Sequence, residues 1–260
     1  MKRILVIGNW KMHLNTSQAS LLVHRLQKVV PVYRNVEAVL APSLLTLQPV
    51  SLEVDRRRFR LASQDANALD EGPRTGEVSF NMLRELVHYG IIGHSNRREF
   101  SHETLEVVRG KVQAAVRNGI VPVLCVGETH AERLRYETKR VLHDQVVTAL
   151  ANLTSEEVGS MVIAYEPVWA IGTGEVATPK ITEDAIRYIR HIIAELYGKD
   201  VSEDVRILYG GSVTPDYVRG LLEIPGVDGF LVGAASLNYQ HFAKILEKAH
   251  AKSLERSDAS

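Results

Sequence analysis

A single cysteine, Cys125, in 260 residues excludes an internal disulfide and fits a reducing compartment. No apolar run approaches the roughly 20 residues that a bilayer span requires. The opening Met1-Lys2-Arg3-Ile4-Leu5-Val6-Ile7-Gly8 has the charge of a signal peptide, but its apolar run is short and no cleavage site follows. Charge of one sign is missing too: 31 Lys+Arg against 31 Asp+Glu leaves no net field to gather nucleic acid, and no acidic tail. No Cys/His cluster has metal-ligand spacing, so no metal is expected. Cys125 itself reads as a small buried hydrophobe, because no His motif stands beside it. Linkers, repeats and low-complexity runs are absent as well. These absences point to one soluble, cytoplasmic domain without membrane or nucleic-acid partners.

What the chain does contain is alternation. Strand-like apolar runs begin near Ile4, Val36, Arg60, Ile91, Val121, Met161, Arg206 and Gly229. Helical patterns occupy 17–30, 44–54, 80–89, 104–118, 131–152, 182–197, 215–222 and 239–249. Pro31, Gly90, Gly119 and Gly198 read as helix stops, and Ser101 and Thr182, each ahead of acidic residues, as caps. Eight strand–helix units of about 30 residues predict a single-domain α/β fold, a (βα)8 barrel over residues 1–250. A doubly wound sheet would alternate likewise, but the Gly-x-Gly-x-x-Gly turn after the first strand is missing. The polar, aperiodic residues 251–260 read as a frayed tail.

In such a barrel the chemistry sits where strands end. The run 161–165 ends on Glu166, and Pro167 then forbids further pairing because it lacks an N–H. Trp169, Gly172, Thr173 and Gly174 follow, a composition suited to a lid over residues 167–177 that folds onto a ligand. The other tips read Gly8-Asn9-Trp10-Lys11-Met12, Gly93-His94-Ser95-Asn96, Tyr209-Gly210-Gly211-Ser212-Val213 and Val232-Gly233-Ala234-Ala235-Ser236. Polar side chains thus alternate with glycine turns whose N–H groups can approach an anion. The third tip, Gly72-Pro73-Arg74-Thr75-Gly76-Glu77-Val78, reads as a protruding arm. Trp10 is expected to pack at the first strand's exit, and 133–135 and 137–140 to form a solvated helix face.

Taken singly, each tip is weak. A strand-end Glu is more often in a surface ion pair, a lone His is more often packed at a rim, and glycines serve plain turns. Together, Gly-Asn-Trp-Lys-Met, Thr75-Gly76-Glu77-Val78-Ser79, Gly93-His94-Ser95, the Glu166 segment, Tyr-Gly-Gly-Ser-Val and Leu231-Val-Gly-Ala-Ala-Ser-Leu237 resemble the triosephosphate isomerase family, in order and spacing, over residues 3 to 249. The resemblance implies a TIM barrel that interconverts dihydroxyacetone phosphate and D-glyceraldehyde 3-phosphate through an enediolate, with no cofactor. It implies Glu166 as base, with a lid that makes it poorly hydrated and more basic. His94 would be a neutral electrophile at a helix N-terminus, a pairing for which this family is a standard worked case. Lys11 and Asn9 would stabilise the oxyanion, and N–H groups of Gly172, Gly211, Ser212, Gly233 and Ala234 would hold the phosphate. It also implies a homodimer through the 72–79 loop, with Thr75 and Glu77 reaching the other subunit and Glu77 pairing Arg97 across the two-fold axis.

The chain departs from the family where Asn96 stands in place of a glutamate that supports the lysine and the base. An amide cannot pair with Lys11 or take a proton, so a reduced rate is expected. Ser101-His102 and Ala234 also differ from the family pattern, and His13 is a tolerated variation. Two other readings stay open: another phosphate-binding barrel enzyme, which shares the glycine turns but not the Asn–Lys, His and Glu set, and a non-catalytic binder, conceivable from Asn96.

Overall fold

The computed structural model describes residues 2–172 and 175–258. Eight parallel strands close in chain order: β1 (Ile4–Asn9), β2 (Val36–Ala41), β3 (Phe59–Ser63), β4 (Tyr89–Ile92), β5 (Val121–Val126), β6 (Val162–Tyr165), β7 (Arg206–Tyr209) and β8 (Gly229–Val232), which pairs back onto β1. Alternation of side chains sorts each strand between two apolar layers. Leu5, Ile7, Val39, Ile91, Val123 and Leu208 belong to a buried cluster inside the barrel. Their neighbours, such as Val6, Leu40, Ile92 and Ile163, pack outward with the helices. Strands buried on both faces read as continuous apolar runs, which is why they were legible. Gly229 takes φ 153, and a Cβ there would lie 1.8 Å from the Leu5 carbonyl oxygen, so only glycine lets β8 reach β1.

The surrounding helices are α1 (Thr16–Val29), α2 (Leu44–Glu53), α3 (Phe80–Leu83), α4 (Ser95–Phe100), α5 (Leu105–Arg117), α6 (His130–Leu134), α7 (Thr138–Leu150), α8 (Ser155–Ser160), α9 (Pro179–Tyr197), α10 (Lys199–Asp204), α11 (Val218–Glu223) and α12 (Tyr239–Asp258). The expected helix 80–89 is cut to α3, because Tyr89 already points into the barrel as the first residue of β4. Gly90 is therefore a strand residue and not a helix stop: a Cβ there would meet the Phe80 ring at 2.5 Å. The expected helix 131–152 breaks into α6 and α7, with Tyr136 left-handed at φ 60 between them. Ser101 closes α4, and Thr104 caps α5 through the Val107 N–H. Thr178, with Pro179 at the first helical position, caps α9 in place of Thr182, which is buried within the helix. α8 and α10 were not anticipated, although Thr154 and Glu157 form a capping box that the sequence displays.

The C-terminal segment also differs from expectation. α12 continues past Ala249 to Asp258, so 251–258 is helical where fraying was expected. Lys252 pairs with Glu255 at 3.2 Å one turn along, and Glu255 accepts from Arg219 of α11 at 3.0 Å. A polar segment is helical when such pairs line its outer face, and apolar periodicity alone does not register them.

A buried ion cluster joins α5 to the exits of β3 and α4. Lys111 Nζ lies 2.6 Å from Asp65 and 2.5 Å from Glu103, and Arg97 contacts both carboxylates. Removing the central ammonium leaves carboxylates buried without sufficient compensation. Lys111→Met is expected to lower unfolding free energy by about 3–5 kcal/mol. Urea denaturation at fixed protein concentration measures this, and a loss below about 1 kcal/mol would count against the cluster as a structural keystone.

Candidate active site

Barrel closure brings the tips of β1, β4, β6, β7 and β8 around one cavity of 370 Å³. Its lining includes Asn9, Lys11, His94, Glu166, Gly172, Gly211, Ser212, Gly233 and Ala234. The seat of Glu166 is set by the backbone. Its N–H donates to the Val126 carbonyl at 2.7 Å, and the chain passes so close that a Cβ on Gly127 would lie 1.7 Å from the Glu166 carbonyl oxygen. Gly127 in turn donates its N–H to Gln145 Oε1 at 2.8 Å. The Glu166 carboxylate is thereby held at 2% exposure inside the mouth.

Two groups from the β4 tip meet that carboxylate. The Ser95 N–H, at the start of α4, donates to Oε2 at 2.9 Å. His94 Nε2 stands 3.0 Å from Oε1, but off the axis of a good hydrogen bond, so Oε1 keeps no well-formed partner. His94 also caps α4: the Asn96 N–H donates to its Nδ1 at 3.1 Å. Nδ1 is therefore an acceptor, which puts the proton of the neutral ring on Nε2, aimed at the cavity. Burial pushes the Glu166 carboxyl up, yet the field and contact of His94, the Ser95 N–H and Lys11 outweigh it. The net displacement is below the usual carboxylate range, opposite to the expectation of a more basic group. Donors at the β4 tip, rather than dryness, decide its charge here.

Lys11 reaches the same cavity from β1 through a left-handed backbone, φ 51, an uncommon choice for a residue with a Cβ. Two amides hold it there. Asn9 Oδ1 accepts the Lys11 N–H at 3.0 Å, and Gln64 Nε2 donates to the carbonyls of Lys11 and Ala41, both at 2.9 Å. Asn9 thus has its Nδ2 left for a ligand. The Lys11 stem runs toward Gly233, with Cε 3.9 Å from where a Cβ on Gly233 would sit. Among the described residues no carboxylate lies within ion-pair distance of Lys11.

Opposite them, the backbone N–H groups of Gly211, Ser212, Gly233 and Ala234 donate to no acceptor among the described residues. Four unpaired donors around a cavity with one ammonium make a receptor for an anion. Gly172, with φ 73, adds the edge of the segment that follows β6. Of the expected lid 167–177, Thr173 and Gly174 lie outside the described residues. Its first part is a 3-10 turn, Val168–Ala170, tied down at both ends: Ser212 Oγ donates to the Ala170 carbonyl at 3.0 Å, and the Val168 N–H donates to the Glu128 carbonyl at 3.2 Å.

Sequence reasoning missed the root of that segment. Glu128, fully buried, accepts from Trp169 Nε1 at 2.9 Å and from the Tyr165 hydroxyl at 3.2 Å. Burial and Glu128 push the Tyr165 phenol up, which keeps it a donor. Arg133 stacks 4.5 Å over the Trp169 ring and reaches Glu128 at 3.4 Å, so it is not part of a merely solvated face. Arg98 was also passed over: it donates to the Gly93 carbonyl at 2.7 Å and the Cys125 carbonyl at 3.1 Å, locking the His94 turn to β5. The available signals were a glutamate directly after the β5 tip glycine and an arginine beside the His94 turn. Trp10 and Cys125 are buried as expected. Thr75 and Glu77 lie outside the cavity on the exposed arm, where Asn67 Nδ2 donates to Glu77 at 3.0 Å. Arg97 pairs within its own chain with Asp65 and Glu103.

Among the described residues no helix is long and apolar enough to cross a membrane, and no group of three or more His, Cys, Asp or Glu could hold a metal ion. The family model for triosephosphate isomerase matches residues 4–249. A triosephosphate isomerase of Caldanaerobacter subterraneus subsp. tengcongensis is 43% identical over 249 residues, covering 95% of this chain and 99% of that protein. One of Citrifermentans bemidjiense is 42% identical over 247 residues, 95% and 98% of the two chains, and one of Carboxydothermus hydrogenoformans is 40% identical over 248 residues, 95% and 99%. A match of this identity across nearly the whole length leaves one conclusion: the chain belongs to the triosephosphate isomerase family.

Proposed function

We propose that this chain is an aldose–ketose isomerase, interconverting dihydroxyacetone phosphate and D-glyceraldehyde 3-phosphate by proton transfer through a cis-enediolate. One observation carries the reading: the poorly satisfied Glu166 Oε1, the Nε2–H of His94 and the unpaired Lys11 ammonium share a cavity with four unpaired N–H groups. The N–H groups and Lys11 hold the phosphate dianion. Lys11 and Asn9 Nδ2 face the oxygen that gains charge, and His94 Nε2–H donates to the carbonyl. Glu166 removes the proton from the carbon next to the carbonyl and returns it to the adjacent carbon. A base must be ionised, and the low-lying Glu166 carboxyl is ionised at neutral pH. To reach carbon it gives up the Ser95 N–H, and loss of that donor in a closed, dry site raises its basicity when it is used.

The lid of residues 167–177 closes over the phosphate, hinged on the Glu128–Trp169 anchor. A homodimer forms through the 72–79 loop. Met12, 95% exposed after β1, and Leu45, 73% exposed at the start of α2, lie at the same end of the barrel as the arm and leave apolar area for a partner. Thr75 and Glu77 reach the other subunit's site, with Glu77 pairing Arg97 there. A cytoplasmic setting accords with the lone free thiol.

A coupled assay on dihydroxyacetone phosphate tests the reading directly. Glu166→Gln is expected to reduce turnover by about 10²–10⁴, the span of a positioned base; unchanged turnover would rule out Glu166 as base. Asn96→Glu is expected to raise kcat roughly fivefold, the worth of one added net hydrogen bond of about 1 kcal/mol, and an unaltered kcat would dismiss the supporting role at that position. Light scattering at micromolar concentration is expected to give twice the chain mass, and shortening 72–79 to give a monomer with impaired turnover. A fully active monomer of the unaltered chain would remove the dimer.

A further inference from the structure

The floor of the barrel, at the end opposite the cavity, holds a charge imbalance that isomerisation does not use. Glu37 projects inward from β2 and is buried. Its Oε1 accepts from the Tyr89 hydroxyl at 2.7 Å, and its Oε2 from Arg206 Nη1 at 3.0 Å. Arg206 sends its other Nη to the Tyr89 hydroxyl at 2.9 Å. That triad already compensates the carboxylate. Yet Arg60 Nε also stands 3.1 Å from Oε1, and Arg3 Nη2 stands 3.4 Å from Oε2. Three guanidiniums converge on one negative charge, and Arg3 and Arg60 are 47% and 41% exposed, with nitrogens to spare.

A fourth guanidinium adds to the surplus. Arg56, in the loop before β3, donates to the Leu86 carbonyl at 3.0 Å and has no carboxylate within ion-pair distance among the described residues. His88 reports the resulting field. Burial lowers its pKa, and Arg60 and Arg56 lower it further against the opposing Glu37. Its Nδ1 is buried without a hydrogen-bond partner. The neighbouring Arg57 and Arg58 do not contribute, since Asp55 answers both, at 3.1 and 3.2 Å. In a chain of zero net charge, uncompensated cations are here gathered on one face. A structural role for Glu37 needs Arg206 and Tyr89 only; Arg3 and Arg60 share that one already compensated carboxylate, and Arg56 has none among the described residues, so positive charge gathers here in excess.

We propose that the barrel floor is an oxyanion site for a pyrophosphoryl group, held by the open guanidinium forks of Arg3, Arg56 and Arg60. Guanidinium forks match the oxygens of a phosphoryl group in both geometry and charge, and a ligand of two or more negative charges matches the surplus. The group is either free pyrophosphate or the tail of a nucleoside diphosphate.

The site lies across the barrel from the catalytic cavity, so its occupancy is separable from substrate binding. The test is calorimetric titration of the full chain with inorganic pyrophosphate, and in parallel with ADP. Three proteins are compared: the unaltered chain, the double variant Arg3→Gln/Arg56→Gln, and Lys11→Ala. The double variant leaves the Glu37–Tyr89–Arg206 triad intact and is expected to keep kcat and KM on dihydroxyacetone phosphate while weakening pyrophosphate about tenfold or more. Lys11→Ala is expected to retain the floor event while losing activity. ADP binding with the same dependence on Arg3 and Arg56 makes a nucleoside diphosphate the source; failure of ADP to bind confines the site to the free anion. No pyrophosphate binding, binding unchanged in the double variant, or binding lost only in Lys11→Ala would each overturn the proposal. An unaltered chain inactive on dihydroxyacetone phosphate but retaining the Arg3- and Arg56-dependent event would sink the isomerase reading alone.

Discussion

A carboxylate at 2% exposure cannot stay ionised on burial alone, and the site is built around how Glu166 does so. Among the described residues no arginine is paired with it. Its compensation is one backbone N–H from Ser95, the imidazole edge of His94, and a lysine that acts across the cavity rather than in contact. Such weak, divided support suits a base. A bidentate guanidinium would fix the charge and leave the oxygens occupied, whereas a single N–H can be exchanged for a carbon-bound proton. The donors arrive from β4 and β1 while the carboxylate arrives from β6, so the arrangement exists only because the sheet closes. Barrel closure and acid–base chemistry are thus one constraint viewed at two scales.

That dependence explains where the backbone admits strain and crowding. Gly127 passes the Glu166 carbonyl at a distance no side chain allows, and Lys11 takes a left-handed φ that Asn9 and Gln64 must hold. Gly127 directly follows β5, and Lys11 lies two residues past the end of β1. Gly93, beside His94, and Gly172, at the cavity edge, are left-handed too, whereas Gly119, Tyr136 and Gly198 fall at helix ends and turns away from the cavity. Strain at Lys11 is sustained by two amide side chains, one of them from the residue directly after β3, so the first strand's tip is set partly by the third's. Inserting an anion next to Lys11 requires no rearrangement of that support.

Much of the fold was legible because doubly buried parallel strands write themselves as apolar runs, and because Pro31, Gly119 and Gly198 mark helix ends. What escaped was tertiary. Tyr89 looks like the end of an apolar helix until the barrel interior claims it, and α8 and α10 are too short for a periodic signal. The continuation of α12 to Asp258 rests on charge pairs, not on an apolar stripe. In the site, Asn9, Lys11, His94 and Glu166 were legible because their tips carry family motifs. The direction of the Glu166 displacement was not, since it depends on where the Ser95 N–H points. Glu128, Gln64 and Arg98 escaped because they act on backbone and on other side chains, and such partners can be named only once coordinates bring distant tips together.

Asn96 shows how a local substitution is absorbed by this geometry. The one contact His94 needs from that position is the backbone N–H that caps Nδ1, and any residue supplies it. The tautomer that aims Nε2–H at the cavity therefore survives the change from glutamate to asparagine. The family resemblance implies that a glutamate there would support the lysine; Asn96 supplies no charge, and among the described residues Lys11 has no carboxylate within ion-pair distance. In the proposed reaction a less neutralised Lys11 would attract the phosphate dianion more strongly, yet be less firmly oriented toward the oxygen that gains charge in the transition state. The two effects act on different quantities, ground-state binding and the barrier. A substitution at this position therefore shifts the balance between KM and kcat before it threatens the fold.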